Sequence, residues 1–220
     1  MTWEVISHKL HHPGLVVEQL ESPNTSGRIK GSGQGIAKLS NLKFVIIHYT
    51  AGRSRVSAVR RFMDDKSGVS AHLVVDRDGT VSQVMPFDKI AWHAGKSSYG
   101  KWKGINNYSI GIELVNAGLL TRNLAGNYFA WWGDPIPEKD VFIHKTPKGV
   151  ETAWHMYTPE QIAVCLGILT ALNTAYPSLE YLLGHRDIAP GRKIDPGEAF
   201  PMNGIRAAIS GRSDDPRTFE

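Results

Sequence analysis

The chain has one cysteine, Cys165, in 220 residues, which excludes an internal disulfide and gives no sign of an oxidising compartment. It falls with Ile162, Leu166 and Leu169 on the apolar face of a predicted helix, so it reads as a small core residue rather than a nucleophile. No apolar run approaches the roughly 20 residues of a membrane span. The start, Met1-Thr2-Trp3-Glu4-Val5-Ile6-Ser7-His8, lacks the basic segment, apolar core and cleavage site of a secretory leader. The expectation is a soluble chain, cytoplasmic as synthesised, with lysis as a route out. Also missing are an internal repeat, a His-Glu-x-x-His run, and a basic stripe interleaved with aromatics of the single-strand-binding kind. Nucleic acid and membrane are therefore not expected partners, and a monomer is the simplest state. The net charge of +4 is uneven: residues 1–110 carry 15 Lys/Arg against 8 Asp/Glu, and residues 111–220 carry 10 against 13. Such a bias suits an anionic polymer, although most imbalances of this size are only solvated surface.

What is present is an ordinary globular composition, 41% hydrophobic and 21% charged, in a length that favours one domain. Residues 1 to about 40 are polar and glycine-punctuated and read as an irregular lead-in with one short strand near Leu15 to Val17. His8, His11 and His12 lie there and are left without a role. Phe44-Val45-Ile46-Ile47 is a buried strand ending at His48. Ser54 caps a helix with Val56, Val59, Phe62 and Met63 on one face. Leu73 and Val75, Asp78-Gly79, and Val81 to Met85 read as a hairpin. In Ser109 to Val115, Ile110, Ile112 and Leu114 share a face and Glu113 lies on the other; a carboxylate in so apolar a strand is costly unless paired or at a site. Residues 117 to about 157 predict two hairpins, Leu120–Leu124 with Tyr128–Trp132 and Val141–Lys145 with Val150–His155. Thr158-Pro159-Glu160-Gln161 then opens the longest helix with a capping box and a first-position proline. Beyond a short helix near Ile205 to Ile209, residues 210–220 predict a disordered tail.

Chemistry concentrates in Gly184-His185-Arg186-Asp187-Ile188-Ala189-Pro190-Gly191-Arg192-Lys193-Ile194-Asp195-Pro196-Gly197. The apolar run Tyr181-Leu182-Leu183 places His185 at the end of a buried strand, with an irregular loop after it. Pro196 biases Asp195 toward an extended conformation, which turns Lys193 and Asp195 to the same side. His48, at the end of its own strand, offers a third ligand. Two imidazoles and a carboxylate are a catalytic zinc set with a position left for water; the same set could hold non-haem iron.

These residues, with Val69-Ser70-Ala71-His72, Asp76-Arg77-Asp78-Gly79, Ala91-Trp92-His93-Ala94-Gly95, Ser109-Ile110-Gly111-Ile112-Glu113 and the loop Ser22-Pro23-Asn24, resemble the type 2 N-acetylmuramoyl-L-alanine amidases. That family includes AmpD-type recycling enzymes, phage amidase endolysins and peptidoglycan recognition proteins. The blocks run in family order from about Ser22 to Pro201. The resemblance implies a single α/β domain with a central mixed β-sheet flanked by helices, the peptidoglycan recognition protein-like fold. It implies one zinc per chain on His48, His185 and Asp195, a catalytic pair of Glu113 and Lys193, and substrate contacts from Tyr49, Trp92, His93 and Asn106. The implied reaction is hydrolysis of the amide between N-acetylmuramic acid and L-alanine in peptidoglycan or muropeptides. On this reading residues 1–21 are lead-in and 22–209 the zinc amidase domain, with 117–157 as an insert. A non-catalytic peptidoglycan-binding module and a non-haem iron enzyme are the rivals. The recycling pattern has arginines where this chain has Gly68 and Gly104, which implies weaker selectivity for small anhydro-muropeptides. The insert's Tyr128, Phe129, Trp131, Trp132, Trp154 and Tyr157 are either sugar-stacking surface or hairpin packing.

Overall fold

The computed structural model describes residues 2–29, 39–212 and 214–219; the glycine-rich stretch from Gly31 to Gly35 lies outside them. The lead-in holds more regular structure than its composition predicts. Strands β1 (Glu4–Ile6) and β2 (Lys9–His11) form a hairpin, β3 (Val17–Gln19) reaches the edge of the main sheet, and β4 (Thr25–Arg28) follows. Tertiary contacts hold them: Leu10 is fully buried, and its amide donates to Gln83 Oε1 at 2.6 Å.

The chain continues through β5 (Phe44–Tyr49), α1 (Arg55–Met63), the hairpin β6 (Leu73–Val75) and β7 (Val81–Gln83), β8 (Lys89–Ala91), which pairs with β4, and the small hairpin β9 (Ser98–Tyr99) and β10 (Trp102–Lys103). A 3-10 turn (Ile105–Tyr108) leads into β11 (Ser109–Leu114). The insert forms an antiparallel sheet of β12 (Leu119–Arg122), β13 (Tyr128–Phe129), β14 (Pro135–Ile136), β15 (Val141–Lys145) and β16 (Glu151–His155) in the order β14-β13-β12-β16-β15. Helix α2 (Pro159–Ala175), β17 (Tyr181–Gly184), α3 (His185–Ile188) and α4 (Met202–Ser210) complete the chain.

The central sheet is mixed, in the order β17-β5-β11-β6-β7-β3. Its first four strands are parallel, and β7 runs antiparallel to β6 and parallel to β3. Alternation along these strands divides the molecule. Val45, Ile47, Ile110, Ile112, Leu114 and Leu182 join Cys165, Ile168, Leu169 and Leu172 of α2 in the largest core cluster. The intervening residues, among them His48 and Glu113, turn to the other face. Helix α2 starts as its sequence predicts: Thr158 Oγ1 accepts from the Gln161 amide and Gln161 Oε1 from the Thr158 amide. Gln161 is fully buried because its Nε2 donates to the Val115 carbonyl at 2.9 Å, which ties the cap to β11's exit.

Three expectations change. Of the predicted α1 face only Phe62 is buried, packed with Val74, Val84 and Val115, and Val56 is 56% exposed. The loop after β17 opens with a helical turn, α3, in which Asp187 accepts from the Gly184 amide at 2.8 Å. The terminal segment, read as a disordered tail, runs beside β17: Leu182 N donates to Pro216 O at 2.9 Å, Phe219 N donates to Glu180 O at 3.2 Å, and Thr218 is buried. Among the described residues no helix is long and apolar enough to cross a membrane.

Candidate active site

Three neighbouring parallel strands deliver the site. Register places Glu113 beside His48 and Gly184 beside Ile47, so His185, His48 and Glu113 stand in a row at the strand ends. Asp195 returns from the loop after α3. His48 Nδ1 lies 3.0 Å from His185 Nδ1, and Asp195 Oδ2 lies 2.9 Å from the first and 3.0 Å from the second. All three residues are buried, and among the described residues they are the one group that satisfies metal-ligand spacing.

The hydrogen bonds behind the imidazoles decide which ring nitrogens carry protons. His185 Nε2 faces the Ala94 carbonyl at 3.1 Å and must donate to it, so that in the neutral ring Nδ1 is the lone pair. Behind His48 the chain is longer. Ser109 Oγ donates to Ile105 O at 2.8 Å and so accepts from His93 Nε2 at 3.0 Å; His93 Nδ1 then accepts from His48 Nε2 at 2.9 Å. His48 therefore also presents a proton-free Nδ1. Burial lowers the pKa of both His48 and His93, so both rings are neutral. Burial raises the Asp195 carboxyl, and hydrogen bonds from imidazole N–H groups would outweigh it and lower it; with those protons turned outward to Ala94 and His93, a bound cation would hold the carboxylate ionised in their place. Two lone pairs and an anion converge with no proton between them. Their spacing is close to the roughly 3.3 Å between donors of a tetrahedral ion with ligands at 2.0–2.1 Å. The group fits a metal ion, each histidine held by an outer partner as metal ligands usually are.

Beside this group opens a cleft of about 370 Å³ lined by His48, Tyr49, Thr50, Ala51, Trp92, Glu113, His185, Lys193 and Asp195, among others. Glu113 Oε2 is shut off from solvent and has no hydrogen-bond partner among the described residues. Burial, reinforced by Asp195 and opposed by Lys193, pushes the Glu113 pKa up to about 8. Lys193 is exposed on the same cleft.

The four residues expected to touch substrate separate. Trp92 is half-buried in the cleft wall, with its indole N–H on Ser26 Oγ at 2.7 Å. Tyr49 lines the cleft and packs on Gly118 of the insert; burial first, and Asp195 second, push its phenol up to about 12. His93 touches the cleft but spends both ring nitrogens on the bonds behind His48. Asn106 is not among the lining residues, and its Oδ1 accepts the amides of His93 and Ala94 at 3.2 and 2.8 Å.

Sequence reasoning passed over Ser109, Gly111 and Arg192. Arg192 Nη2 donates to the carbonyls of Ala94 and Lys96 and so bridges the metal loop to the loop behind His185. A Cβ on Gly111 would stand 2.4 Å from His93 Cγ, so only glycine leaves room for that ring. The one available signal was a glycine inside a strand, which often marks such a close approach. Gly111→Ala is expected to displace His93, leave His48 unoriented and cut metal affinity by about 10–100-fold, the usual cost of losing an outer partner. Chelator competition on a variant with native circular dichroism checks this; unchanged affinity would remove His93 from the metal site's support.

The insert is built into the site rather than appended to it. Trp154 packs where a Cβ on Gly197 would stand 2.4 Å from its ring, and Tyr157 Oη donates to Pro196 O at 2.8 Å, so both brace the loop carrying Asp195. Asn116 ties β11's exit to His155 O at 2.9 Å.

The chain is 35% identical over 143 residues to 1,6-anhydro-N-acetylmuramyl-L-alanine amidase AmpD of Escherichia coli K12, covering 64% of this chain and 59% of the relative. It is 30% identical over 176 residues to the N-acetylmuramoyl-L-alanine amidase AmiD of the same organism, covering 76% and 53%. The chain thus spans only between half and two thirds of the length of these curated relatives. Among solved structures, an AmpD selenomethionine derivative superposes with a TM-score of 0.62 at 25% identity, covering 92% of this chain and 97% of that one. A complex of E. coli AmiD with the substrate anhydro-N-acetylmuramic acid-L-Ala-D-γ-Glu-L-Lys gives 0.55 at 26% identity, covering 80% and 60%. With the N-acetylmuramoyl-L-alanine amidase profile matching residues 38–198, and the mixed sheet, buried ligand group and cleft in place, the chain belongs to the N-acetylmuramoyl-L-alanine amidase family.

Proposed function

We propose that the chain is a zinc-dependent N-acetylmuramoyl-L-alanine amidase that hydrolyses the amide between the lactyl group of N-acetylmuramic acid and L-alanine in peptidoglycan or muropeptides. The observation that carries the reading is the pairing, in one cleft, of three converging proton-free donors with an unpartnered carboxyl of raised pKa. Zinc held by His48, His185 and Asp195 would supply a Lewis acid toward the amide carbonyl and the attacking water. Glu113 is the group to take the water's proton and return it to the leaving amine, because its raised pKa lies near neutrality, where a general acid-base group works best. Lys193 supplies positive charge to the oxyanion of the tetrahedral transition state. His93, Ser109 and Arg192 are positioning residues. The relatives' names, and the anhydro-muropeptide bound to AmiD, support the substrate class.

A non-catalytic binding module is disfavoured because the ligand group, Glu113 and Lys193 share one cleft. An iron enzyme remains the other metal reading. Metal analysis with mass spectrometry of muropeptides after incubation tests both: about one zinc per chain and release of intact stem peptide are expected. Iron at stoichiometry, or an uncleaved amide with zinc bound, would overturn the proposal.

A further inference from the structure

The insert's six aromatic residues have unequal fates. Trp154 and Tyr157 are 6% and 7% exposed and brace the metal loop, while Tyr128, Phe129 and Trp132 are half-buried. Trp131 alone stands out, 68% exposed. It is also held in place. Trp131 and Trp132 are the middle residues of a turn closed by Gly133 N donating to Ala130 O at 2.9 Å. Trp131 Nε1 donates to the Ala51 carbonyl at 2.9 Å, and its ring meets Trp132 edge-on at 5.7 Å. Trp132 is fixed in turn by the Arg53 guanidinium, 5.3 Å from its ring centre. Arg53 makes two hydrogen bonds to Asp134, at 2.8 and 3.2 Å, so the two charges at this rim cancel.

Ala51 lines the cleft and Trp131 does not, so the bond to the Ala51 carbonyl sets the indole just outside the cleft, next to its rim. An exposed tryptophan already ordered by hydrogen bonding and ring packing loses little further freedom on binding, which is what makes a rigid aromatic an effective anchor. The neighbourhood of Trp131 is charge-balanced and aromatic, whereas the cleft itself carries three cations, Arg61, Arg192 and Lys193, against the carboxyl groups of Glu113 and Asp195. Carboxylates of a stem peptide suit those cations; an uncharged pyranose ring, with its face of C–H groups, suits the indole.

We propose that Trp131 is a saccharide-stacking platform at the rim of the cleft, binding a sugar of the glycan strand beyond the muramic acid whose amide is cleaved, so that the chain works best on polymeric strands. This rests on the amidase reading above. The test compares the native protein, Trp131→Ala and Trp131→Phe on uncrosslinked glycan strands and on a soluble anhydro-muropeptide. The alanine variant is expected to raise KM on strands roughly tenfold, the loss typical of truncating an aromatic anchor, with kcat on both substrates unchanged. Phenylalanine keeps a stacking face but not the N–H bond to Ala51 and should recover most of the loss. Equal losses on both substrates would make Trp131 a brace for the 50–53 loop and overturn the proposal, as would identical KM values on strands. If the native protein cleaves neither substrate, the amidase reading itself fails. Sedimentation with purified sacculi then decides separately: equal binding of native and Trp131→Ala protein overturns the platform, and a tenfold weaker variant supports it.

Discussion

His185→Ala is expected to lose its metal and its activity together. The variant would leave His48 and Asp195 as a two-point site, strip the Ala94 carbonyl of the His185 Nε2 donor, and abandon a buried anion that two imidazoles now face. Two donors of a three-donor set do not hold zinc against a mild chelator, so metal content should fall from about one per chain to near zero and turnover by well over the 10²-fold typical of losing a single catalytic group. Adding chelator to the native protein should reproduce the activity loss and lower its Tm, because an ion that binds the folded state alone stabilises it. The decisive measurement is metal content by elemental analysis beside a melting curve. Stoichiometric metal in a folded His185→Ala protein would remove His185 from the ligand set.

Glu113→Gln separates chemistry from metal binding. The residue stands next to His48 in register but is not in the ligand group, so the variant should retain about one metal per chain while turnover falls on the order of 10²-fold or more, the scale of general acid-base catalysis. Stability should move the other way. Below about pH 4.5, the ordinary value, the carboxyl is protonated in folded and unfolded chains and contributes nothing. Between there and about pH 8 the unfolded chain releases its proton and the metal-free folded chain does not. The unfolded state then binds fewer protons, so stability falls as pH rises, by about 1.4 kcal/mol per unit; above the folded pKa the penalty is constant. Glutamine does not ionise and escapes it. Metal-free Glu113→Gln should therefore match or trail the native protein near pH 4.5 and gain on it steadily up to about pH 8. A Tm difference that does not change with pH would mean that the Glu113 carboxyl is not held protonated by its surroundings, and near-normal turnover would assign it a structural role.

These residues show how far a linear reading reaches. Alternation in Ser109 to Leu114 put Ile110, Ile112 and Leu114 on one face and Glu113 on the other, while the unbroken apolar run Phe44 to Ile47 marked a buried strand ending at His48, and the central sheet uses both features. The capping box at Thr158 and Gln161 was legible because a helix start is decided within four residues. Spacing likewise brought His185 and Asp195 into one loop. Every one of these features depends on neighbours along the chain.

The proton arrangement did not follow from any local pattern. That His48 offers Nδ1 depends on His93, 45 positions away, and on Ser109 behind it. That His93 fits at all depends on Gly111 lacking a Cβ. The insert makes the same point: its six aromatic residues look alike in sequence, yet Trp154 and Tyr157 face the Asp195 loop while Trp131 is left at the rim. Composition misread the lead-in and the tail because their order comes from partners such as Gln83, Glu180 and Leu182 on distant strands. The central strands, the long helix and the residue types gathered for chemistry could be read along the chain, since periodicity and capping are short-range. Which nitrogen is bare, which carboxyl oxygen is shut off from solvent and which tryptophan is exposed follow only from the packed molecule, because each depends on hydrogen bonds and solvent exclusion between residues far apart in the chain.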